Sequence, residues 1–437
     1  MATVSGSVMK ETNLARCADP RPLQHHRLMT SSALVVCIVG TSPVRLWALE
    51  GGERLQRQLR ALGIAHTISK GDEVPAGGSI VLLRADHLFD DRTLRDLVSH
   101  PGTVVLTAGP PEASTAVAAH VAVEMAPLAR AVLEGKAAPQ AIPGVTIGTP
   151  AALSSAYVGK LLKSAPPLVL PIRAAQAAAL ERYLFDGAYK GVTDLVTKWV
   201  WPAPARWATR WCARLGVGPN AVTATSLILA VAAMVFFARG QFGIGLLVAW
   251  VMTFLDTVDG KLARVTVTST QFGHIFDHVI DLIHPPLWYL AWAYGVAGNT
   301  AQLWMLRSIL VAIVVGYVAG RLIEGAFEYI LAGFSLFTWQ PLDSYVRLVT
   351  ARRNPNLLLL SAFAFAGLPR EGLIAVALWT VLSTVCLTIR LGQAVYVRVR
   401  SGHLQPWLGN LAADPTRVPS YARPFISTSA TLQQLTQ

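Results

Sequence analysis

The chain has 437 residues, of which 53% are hydrophobic and only 14% carry a charge, and its formal net charge is +12. A soluble globular domain carries about 25% charged residues, so this composition excludes an ordinary soluble protein and indicates a membrane protein with a soluble part. Nucleic-acid binding is another explanation for a basic chain, but the Lys and Arg residues form no stripe with interleaved aromatics, and we expect no nucleic-acid partner.

The first part of the chain reads as soluble. Residues 1–31 are polar and irregular, and we expect a disordered tail there. Residues 32–175 alternate short apolar runs with helical patterns, which predicts strands at Ser32–Gly40, Ser79–Arg84 and Thr103–Ala108 and a helix at Glu53–Leu62. Strands that alternate with helices indicate a parallel sheet in an α/β, Rossmann-like domain.

Residues 176–215 form a juxtamembrane region in which tryptophans alternate with basic residues: Trp199, Trp201, Trp207 and Trp211 with Lys198, Arg206, Arg210 and Arg214. Trp and Arg just before a long apolar helix are typical of an amphipathic helix lying at a membrane surface. The other interpretation is packing between the two domains, and both can hold.

A helical membrane domain is predicted for residues 216–400, followed by a C-terminal tail at 401–437. Six apolar segments are predicted as spanning helices, at 221–238, 242–262, 271–297, 302–331, 355–368 and 371–396, although the fifth is short for a span of about 20 residues. Lys and Arg cluster in alternate loops. The positive-inside rule therefore places both termini and the central acidic motif of this multi-pass protein on the cytoplasmic side.

Four aspartates lie in the second and third of these segments. Asp256 and Asp259 are three residues apart and Asp277 and Asp281 are four apart, so each pair shares one helix face. Carboxylates at membrane depth are costly, and four together would repel one another unless divalent cations lay between them. The alternative is that they are solvated helix ends, paired with Lys261, Arg264 and the nearby histidines.

The full pattern resembles the signature of the CDP-alcohol phosphotransferases, D-x2-D-G-x2-A-R-x8-G-x3-D-x3-D. Every fixed position is filled, by Asp256, Asp259, Gly260, Ala263, Arg264, Gly273, Asp277 and Asp281. The resemblance implies a homodimeric enzyme of phospholipid biosynthesis in a bacterial or archaeal cytoplasmic membrane. It implies Mg²⁺ or Mn²⁺ as cofactor, a CDP-alcohol such as CDP-diacylglycerol as donor and an alcohol as acceptor. The acceptor hydroxyl would attack the β-phosphorus, and CMP would leave.

The resemblance also assigns roles. Asp256, Asp259 and Asp277 would hold the metal, and Asp281 would be the general base, with a metal contact of its own left open. The nucleotide would contact Asp256, Asp259, Gly260, Ala263, Arg264 and Gly273. The small residues at 260 and 263 are also explained by close helix packing, and Gly273 would give backbone clearance opposite Gly260.

Residues outside the signature complete the predicted site. Pro219-Asn220-x-x-Thr223 resembles the family's first spanning helix, where Asn220 would either cap the helix or contact the nucleotide. A phosphorylated acceptor is predicted to bind at Arg321, Arg347, Arg352 and Arg353. The last three lie in the loop before the fifth predicted span, where basic residues also fit the ordinary topology of a membrane protein. Pro285-Pro286 should kink or break the third spanning helix, where His274, His278 and His284 are expected to form hydrogen bonds.

The front domain resembles the cytidylyltransferase half of inositol-phosphate cytidylyltransferase/phosphotransferase fusions. Asp86 after the second strand matches a metal-binding aspartate, and Lys190 to Asp194 resembles the Lys-Pro-Thr-Asp run that joins the halves. The loop from Gly40 to Trp47 lacks the second glycine and the lysine that would cradle a triphosphate. We therefore expect a catalytically degenerate domain with a regulatory or docking role. The alternatives are a bifunctional enzyme and, in another class, an ion-coupled transporter.

Overall fold

The computed structural model describes residues 34–64, 67–68, 78–106, 114–409, 411 and 419–426. The predicted N-terminal tail, residues 1–31, lies outside these ranges. The described residues form an α/β part and a helical part.

The α/β part contains twelve short strands in the described residues. They are β1 (Leu34–Val39), β2 (Arg45–Leu46), β3 (Leu49–Glu50), β4 (Thr67–Ile68), β5 (Ser79–Arg84), β6 (His87–Phe89), β7 (Thr103–Leu106), β8 (Ala116–Ala122), β9 (Thr146–Gly148), β10 (Tyr157–Val158), β11 (Lys163–Ser164) and β12 (Val169–Pro171). Its α-helices there are α1 (Gly51–Ala61), α2 (Asp91–Ser99), α3 (Ala126–Leu133), α4 (Pro150–Leu153) and α5 (Ala177–Gly187). The three strands and the helix predicted from sequence lie where expected, within a few residues.

Six strands form the central sheet, in the order β4-β1-β5-β8-β7-β9. β1 pairs in parallel with β4 and β5, and β7 with β9, but β8 is antiparallel to both of its neighbours. The prediction of a parallel sheet is therefore wrong at β8. Helices α1 and α2 pack on one face and α3 on the other, so the central strands are apolar on both sides.

The helical part follows a juxtamembrane segment made of a π-helical turn (Val196–Val200) and α6 (Pro202–Arg214). Its long helices are α7 (Pro219–Ala238), α8 (Phe242–Val265), α9 (Gln271–Ala297), α11 (Arg307–Gly325, continued as a π-helix to Ala332), α13 (Arg353–Phe365) and α14 (Pro369–Ser401). The shorter α10 (Thr300–Met305) and α12 (Pro341–Val349) connect them, and 3-10 turns lie at Leu336–Thr338, Trp407–Gly409 and Ser420–Phe425.

Four helices are long and apolar enough to cross a membrane: α7, α8, α11 with its π-helical extension, and α14. The other two predicted spans do not reach that standard. α9 has 27 residues but carries two aspartates and three histidines, and α13 has 13 residues, fewer than the roughly 20 that a span needs. The described residues thus indicate an integral membrane protein, and the count of six spans stays a prediction.

Helix α9 continues through Pro285 and Pro286, so the expected break is absent. The two prolines lack the N–H groups that would bond the carbonyls of Asp281 and Leu282. The Tyr317 hydroxyl from α11 lies 3.0 Å from the Leu282 carbonyl oxygen and 3.4 Å from that of Asp281, and it donates to this pair. A side chain from a neighbouring helix thus satisfies the backbone groups that the prolines leave free.

Replacing Tyr317 with phenylalanine is expected to destabilise the fold by about 1 kcal/mol, because the carbonyls of Asp281 and Leu282 lose the one hydroxyl that they share. Thermal unfolding of the detergent-solubilised protein measures the loss. Tyr329→Phe is the matched control, since Tyr329 is 83% exposed. Equal unfolding temperatures for the two variants would mean that the hydroxyl does not support the helix.

The juxtamembrane segment exposes aromatic side chains. Trp199, Trp207 and Trp211 are between 48% and 68% exposed, and Leu215 at the end of α6 is 70% exposed. The opposite side of α6 packs against α8, with Ala205 buried between them. Both sequence interpretations therefore find support, because one face contacts the helical part and the other presents the amphipathic residues expected at a membrane surface.

The α/β part docks on the C-terminal end of α8. Arg54 of α1 is 4% exposed and donates to the Val265 carbonyl at 2.6 Å, while Arg57 donates to the Thr266 carbonyl at 2.9 Å. The last carbonyls of a helix have no intrahelical partner, and positive charge is favourable there. Burial lowers the pKa of Arg54 to about 10, which still leaves the guanidinium charged near neutral pH.

Candidate active site

Helices α8 and α9 bring three of the four predicted aspartates together. Carboxylate oxygens of Asp256, Asp277 and Asp281 lie within 4.8 Å of one another, in the single such cluster among the described residues. We call these three side chains the aspartate centre. All three are partly buried. Carboxylates held this closely repel one another, so a positive charge is needed between them.

Asp259 faces a different helix. Its Oδ2 accepts a 2.6 Å hydrogen bond from the Thr223 hydroxyl on α7, and its Oδ1 is buried without a hydrogen-bond partner in the described residues. Thr223 therefore contacts the signature directly, through an aspartate. The place of Asp259 among the metal ligands stays a prediction, and its unpartnered oxygen is a free acceptor beside the aspartate centre.

Arg353, at the start of α13, neutralises the aspartate centre. Its Nη1 donates to Asp281 Oδ1 at 2.6 Å and its Nη2 to Asp256 Oδ2 at 2.5 Å. The sequence placed Arg353 among the acceptor-binding residues, whereas the structure places it between the aspartates. The reason is electrostatic, since two carboxylates held close together favour a guanidinium between them.

The small residues of the signature are explained by close contacts. A Cβ on Gly260 would lie 3.5 Å from Nη1 of Arg264, whose guanidinium covers that stretch of α8 and donates to the Ala188 carbonyl at 3.2 Å. A Cβ on Gly273 would lie 2.6 Å from Asn220 Oδ1. Gly273 thus gives clearance for Asn220 and not for Gly260, which corrects the sequence interpretation.

Asn220 does not cap its helix. α7 begins at Pro219 with Gly218 as the N-cap residue, and no side chain caps it. The amide of Asn220 instead lies against Gly273 at the start of α9. The contact of this side chain with a signature position agrees with the alternative that it reaches the nucleotide. Ala263 is half-buried one turn beyond Asp259.

Lys261, which the sequence offers as a partner of solvated aspartates, instead packs against an aromatic ring. It is 6% exposed, and its Nζ lies 4.0 Å from the centre of the Tyr189 ring. A cation over an aromatic face is stabilised by the ring quadrupole. Residues 188–190 therefore cover the signature stretch of α8, with Ala188 bonded to Arg264 and Tyr189 packed on Lys261.

Three of the four predicted acceptor-binding arginines come together. We call Arg321, Arg347 and Arg352 the arginine cluster. Arg321 and Arg352 both form ion pairs with Glu324, and the guanidinium groups of Arg347 and Arg352 lie 5.5 and 5.4 Å from the centre of the Phe337 ring. Two carboxylates, Glu324 and Asp194, face three guanidinium groups, so the cluster retains positive charge. Buried Arg347 Nη1 and Arg352 Nε have no partner in the described residues.

Tyr317 links the arginine cluster to the aspartate centre. Its hydroxyl bonds the α9 backbone at Asp281 and Leu282, and the Arg321 guanidinium lies 5.6 Å from the centre of its ring. An anionic group bound at the arginines would therefore lie beside Asp281. His284, one turn further along α9, is buried and bonds the Ile280 carbonyl at 2.7 Å, which fits the structural role expected for it.

Asp194 supports the start of α13. It accepts hydrogen bonds from the Asn354 amide at 3.0 Å and from the Thr197 hydroxyl at 2.8 Å. Burial opposes ionisation, but Arg347 and these hydrogen bonds hold the pKa of Asp194 below its usual value. The sequence places Asp194 in the run that joins the front domain to the helical part. In the structure its carboxylate holds Asn354, the residue after Arg353. Sequence reasoning missed Asn354, since nothing local marks it.

Asp86 lies outside this region. Arg84 donates to both of its carboxylate oxygens, at 3.0 and 2.6 Å, and His87 Nδ1 lies 2.8 Å from Oδ1. Burial acts against ionisation, but these partners lower the pKa of Asp86 to about 2. The loop after β1, from Gly40 to Trp47, ends in Trp47, whose side chain is 1% exposed and whose φ is 52°. A buried indole thus fills the place where a phosphate-cradling glycine loop is expected.

The helical fold and its partly buried carboxylates define a class, that of membrane proteins with an acidic centre, whose oxygen ligands are of the kind that hard divalent cations prefer. Residues 217–387 match the model of the CDP-alcohol phosphatidyltransferase family. This match and the curated relatives support that family, whose members are transferases, for the helical part of the chain.

The curated relatives are matched over short segments. A Helicobacter pylori CDP-diacylglycerol–serine O-phosphatidyltransferase is 31% identical over 104 residues, 24% of this chain and 36% of the relative. A Streptomyces avermitilis phosphatidylinositol phosphate synthase is 32% identical over 87 residues, 20% and 36% of the two chains. A Pyrococcus horikoshii archaetidylinositol phosphate synthase is 40% identical over 70 residues, 16% and 37%. The chain thus spans about a third of the length of these relatives.

Among solved structures, the chain is similar to Mycobacterium tuberculosis phosphatidylinositol phosphate synthase. The form with CDP-DAG bound is 19% identical with a TM-score of 0.30, over 44% of this chain and 92% of that one. The complex with manganese and citrate is 22% identical with a TM-score of 0.32, over 43% and 88%. Backbone likeness at these scores is too loose to bear on the function.

Proposed function

We propose that this chain transfers a substituted phosphate group from a CDP-alcohol to the hydroxyl of an acceptor alcohol and releases CMP. The observation that carries the proposal is the convergence of Asp256, Asp277 and Asp281 within 4.8 Å, on two helices that together hold every position of the family signature. In a membrane-embedded helix pair such a cluster is costly unless it has a function.

The residues fit a divalent cation. The aspartate centre offers hard oxygen ligands of the kind that Mg²⁺ and Mn²⁺ prefer, and Asp259 Oδ1 is a buried oxygen without a partner in the described residues. Asp256, Asp277 and Asp281 would hold the cation, with Asp259 as a further ligand. When bound, it would neutralise the charge of the pyrophosphate and of the departing CMP.

The chain's own groups perform the rest of the chemistry. Asp281 accepts the proton of the acceptor hydroxyl, the hydroxyl oxygen forms a bond to the β-phosphorus, and the bond from that phosphorus to the CMP oxygen breaks. Arg264 lies over the open stretch at Gly260, where its charge can pair with a phosphate of the nucleotide. Tyr317 fixes the backbone at Asp281 and so the position of the base.

The acceptor we propose is a phosphorylated alcohol. The arginine cluster supports it, because its three guanidinium groups face only two carboxylates, Glu324 and Asp194, and two buried N–H groups there have no partner in the described residues. Guanidinium groups match the geometry of phosphate oxygens. An acceptor of zero net charge, such as zwitterionic serine, would leave that positive charge unmatched. A homodimer in a cytoplasmic membrane, with the site facing the cytoplasm, completes the proposal.

Purified protein in lipid nanodiscs tests this function. CMP release is measured with CDP-diacylglycerol or a soluble CDP-alcohol as donor, with and without Mg²⁺, and with inositol phosphate, glycerol phosphate or serine as acceptor. We expect Mg²⁺-dependent CMP release with a phosphorylated acceptor and much less with serine. If serine gives the fastest release, the acceptor assignment is wrong; if no combination releases CMP, the function is wrong.

A bifunctional enzyme is the second possibility to test, through the front domain. Full-length protein incubated with CTP, Mg²⁺ and an alcohol phosphate is expected to release no pyrophosphate. The reason is that Asp86 has both oxygens bonded to Arg84 and that Trp47 fills the expected triphosphate loop. Pyrophosphate release that disappears in Asp86→Asn would contradict this expectation and establish the second activity.

A further inference from the structure

A cleft of about 260 Å³ lies where three distant segments of the chain meet. Its walls come from the β10–β11 hairpin, the stretch from Asp186 to Trp199 and the tail segment at residues 424–426. We call it the lysine cleft, because Lys163, Lys190 and Lys198 line it. Of the described residues in its lining, one carries a carboxylate, Asp186, so the lining has a surplus of positive charge.

The lysines have hydrogen-bonding capacity to spare. Lys163 is 4% exposed, and its Nζ donates to the Gly187 carbonyl at 2.5 Å. Lys198 donates to the Gly191 carbonyl at 2.6 Å and lies over the Phe425 ring, 5.0 Å from its centre. An ammonium group has three N–H donors, so each of these two lysines can donate further hydrogen bonds beyond the one to its carbonyl. Neutral carbonyls do not compensate the buried charges.

Burial makes these charges unfavourable as they stand. Desolvation is the largest cause that lowers the pKa of Lys163 and of Lys198 to about 8. A bound anion would reverse this penalty, because an opposite charge favours the ionised ammonium. Without a bound anion, the positive charges of these lysines are only partly compensated.

The cleft is preformed by the backbone. A Cβ on Gly191 would lie 2.5 Å from the Lys163 Cβ and 2.7 Å from the carbonyl oxygens of Leu162 and Phe425. Glycine is required where three backbones approach so closely. Gly191 also donates to the Leu161 carbonyl at 2.8 Å, and Ser164 pairs with Ile426. The lysines are therefore held in place before any ligand arrives.

We propose that the lysine cleft binds a phosphate group, mainly through Lys163 and Lys198. Three ammonium groups around a pocket of this size suit the compact charge of a phosphate. The rim carries Trp199, 58% exposed, next to the exposed tryptophans of α6. Exposed tryptophans of this kind are typical of a membrane surface, where an anionic phospholipid headgroup would supply the phosphate; a free phosphate ester is the other source of the same chemistry.

The test is a thermal-shift titration of the full-length protein without CDP-alcohol and without divalent cation, so that it does not depend on the proposed reaction. The probes are short-chain phosphatidylglycerol, inorganic phosphate and, as a zwitterionic control, short-chain phosphatidylcholine. We expect saturable stabilisation by phosphatidylglycerol, and a roughly tenfold weaker apparent affinity in Lys163→Gln or Lys198→Gln, the loss of about one charged hydrogen bond.

Lys160→Gln is the matched control, because Lys160 is an exposed lysine on the same hairpin, and it should bind like wild type. If Lys163→Gln fails to fold, Lys198→Gln is compared with Lys198→Arg, which keeps the charge and should retain binding. If inorganic phosphate stabilises the protein as well, the ligand of the cleft is any phosphate ester. If only phosphatidylglycerol stabilises it, the ligand is the lipid headgroup. Unchanged affinity in the glutamine variants overturns the proposal, as does loss of binding only in Arg347→Gln, which would place the anion at the arginine cluster.

Discussion

Replacing Asp281 with asparagine is expected to lower the rate of CMP release by about 10²- to 10⁴-fold, the usual contribution of a general base. Asparagine keeps the size of the side chain but cannot accept the proton of the acceptor hydroxyl. The measurement is CMP release at saturating donor and acceptor. Glu371→Gln serves as the matched control, because Glu371 is an exposed acid in the first turn of α14.

The concentration of Mn²⁺ at half-maximal rate separates the two roles of Asp281. A base that is not needed for cation binding leaves that concentration nearly unchanged while the maximal rate falls. A metal ligand raises it strongly. If Asp281→Asn retains the wild-type rate, the mechanism proposed for this centre is wrong.

Arg353→Gln is expected to destabilise the metal-free protein by about 3 kcal/mol. The substitution removes the guanidinium that bridges Asp256 and Asp281, and breaking a buried ion pair leaves uncompensated charge. We expect a loss of stability at the lower end of the range for a broken buried ion pair, because the Asp281 side chain is 42% exposed. Thermal unfolding in the presence of EDTA measures it, with the exposed Arg370→Gln as control.

Added Mn²⁺ should narrow the difference between Arg353→Gln and wild type. A cation at the aspartate centre supplies the positive charge that the variant lacks, and it no longer competes with a guanidinium for the same oxygens. The variant should therefore gain more stability from Mn²⁺ than wild type does. An equal gain in both proteins would mean that Arg353 and the cation do not share the aspartates.

The sequence predicts those parts of the site that depend on local spacing. Asp256 with Asp259 and Asp277 with Asp281 share helix faces because the α-helix repeats every 3.6 residues. Arg347 in α12 and Arg352 just before α13 are close in sequence, and their clustering follows from that. The membrane helices are equally local, since long apolar segments have few alternatives.

The remaining features depend on contacts between distant residues, which spacing cannot reveal. Arg353 is 97 residues from Asp256 in sequence, and Thr223 is 36 residues from Asp259. The local sequence also does not predict the direction of β8, because a buried apolar strand has the same pattern in parallel and antiparallel pairings. The continuity of α9 is another feature that local sequence does not predict. It depends on the hydrogen bonds that the distant Tyr317 hydroxyl donates to the carbonyls left free by the two prolines.

The contacts of Arg54 and Arg57 with the end of α8 give the α/β part a mechanical role. The helix that carries Asp256 and Asp259 ends on two guanidinium groups from a separate layer of the protein. Any tilt or withdrawal of that layer pulls on the same helix, so the geometry of the acidic cluster and the seating of the front layer are coupled. Truncation to the helices alone would leave the final turn of α8 frayed and the spacing of its acids unsecured. The α/β part would in this way act as a clamp on the helix that carries these acids.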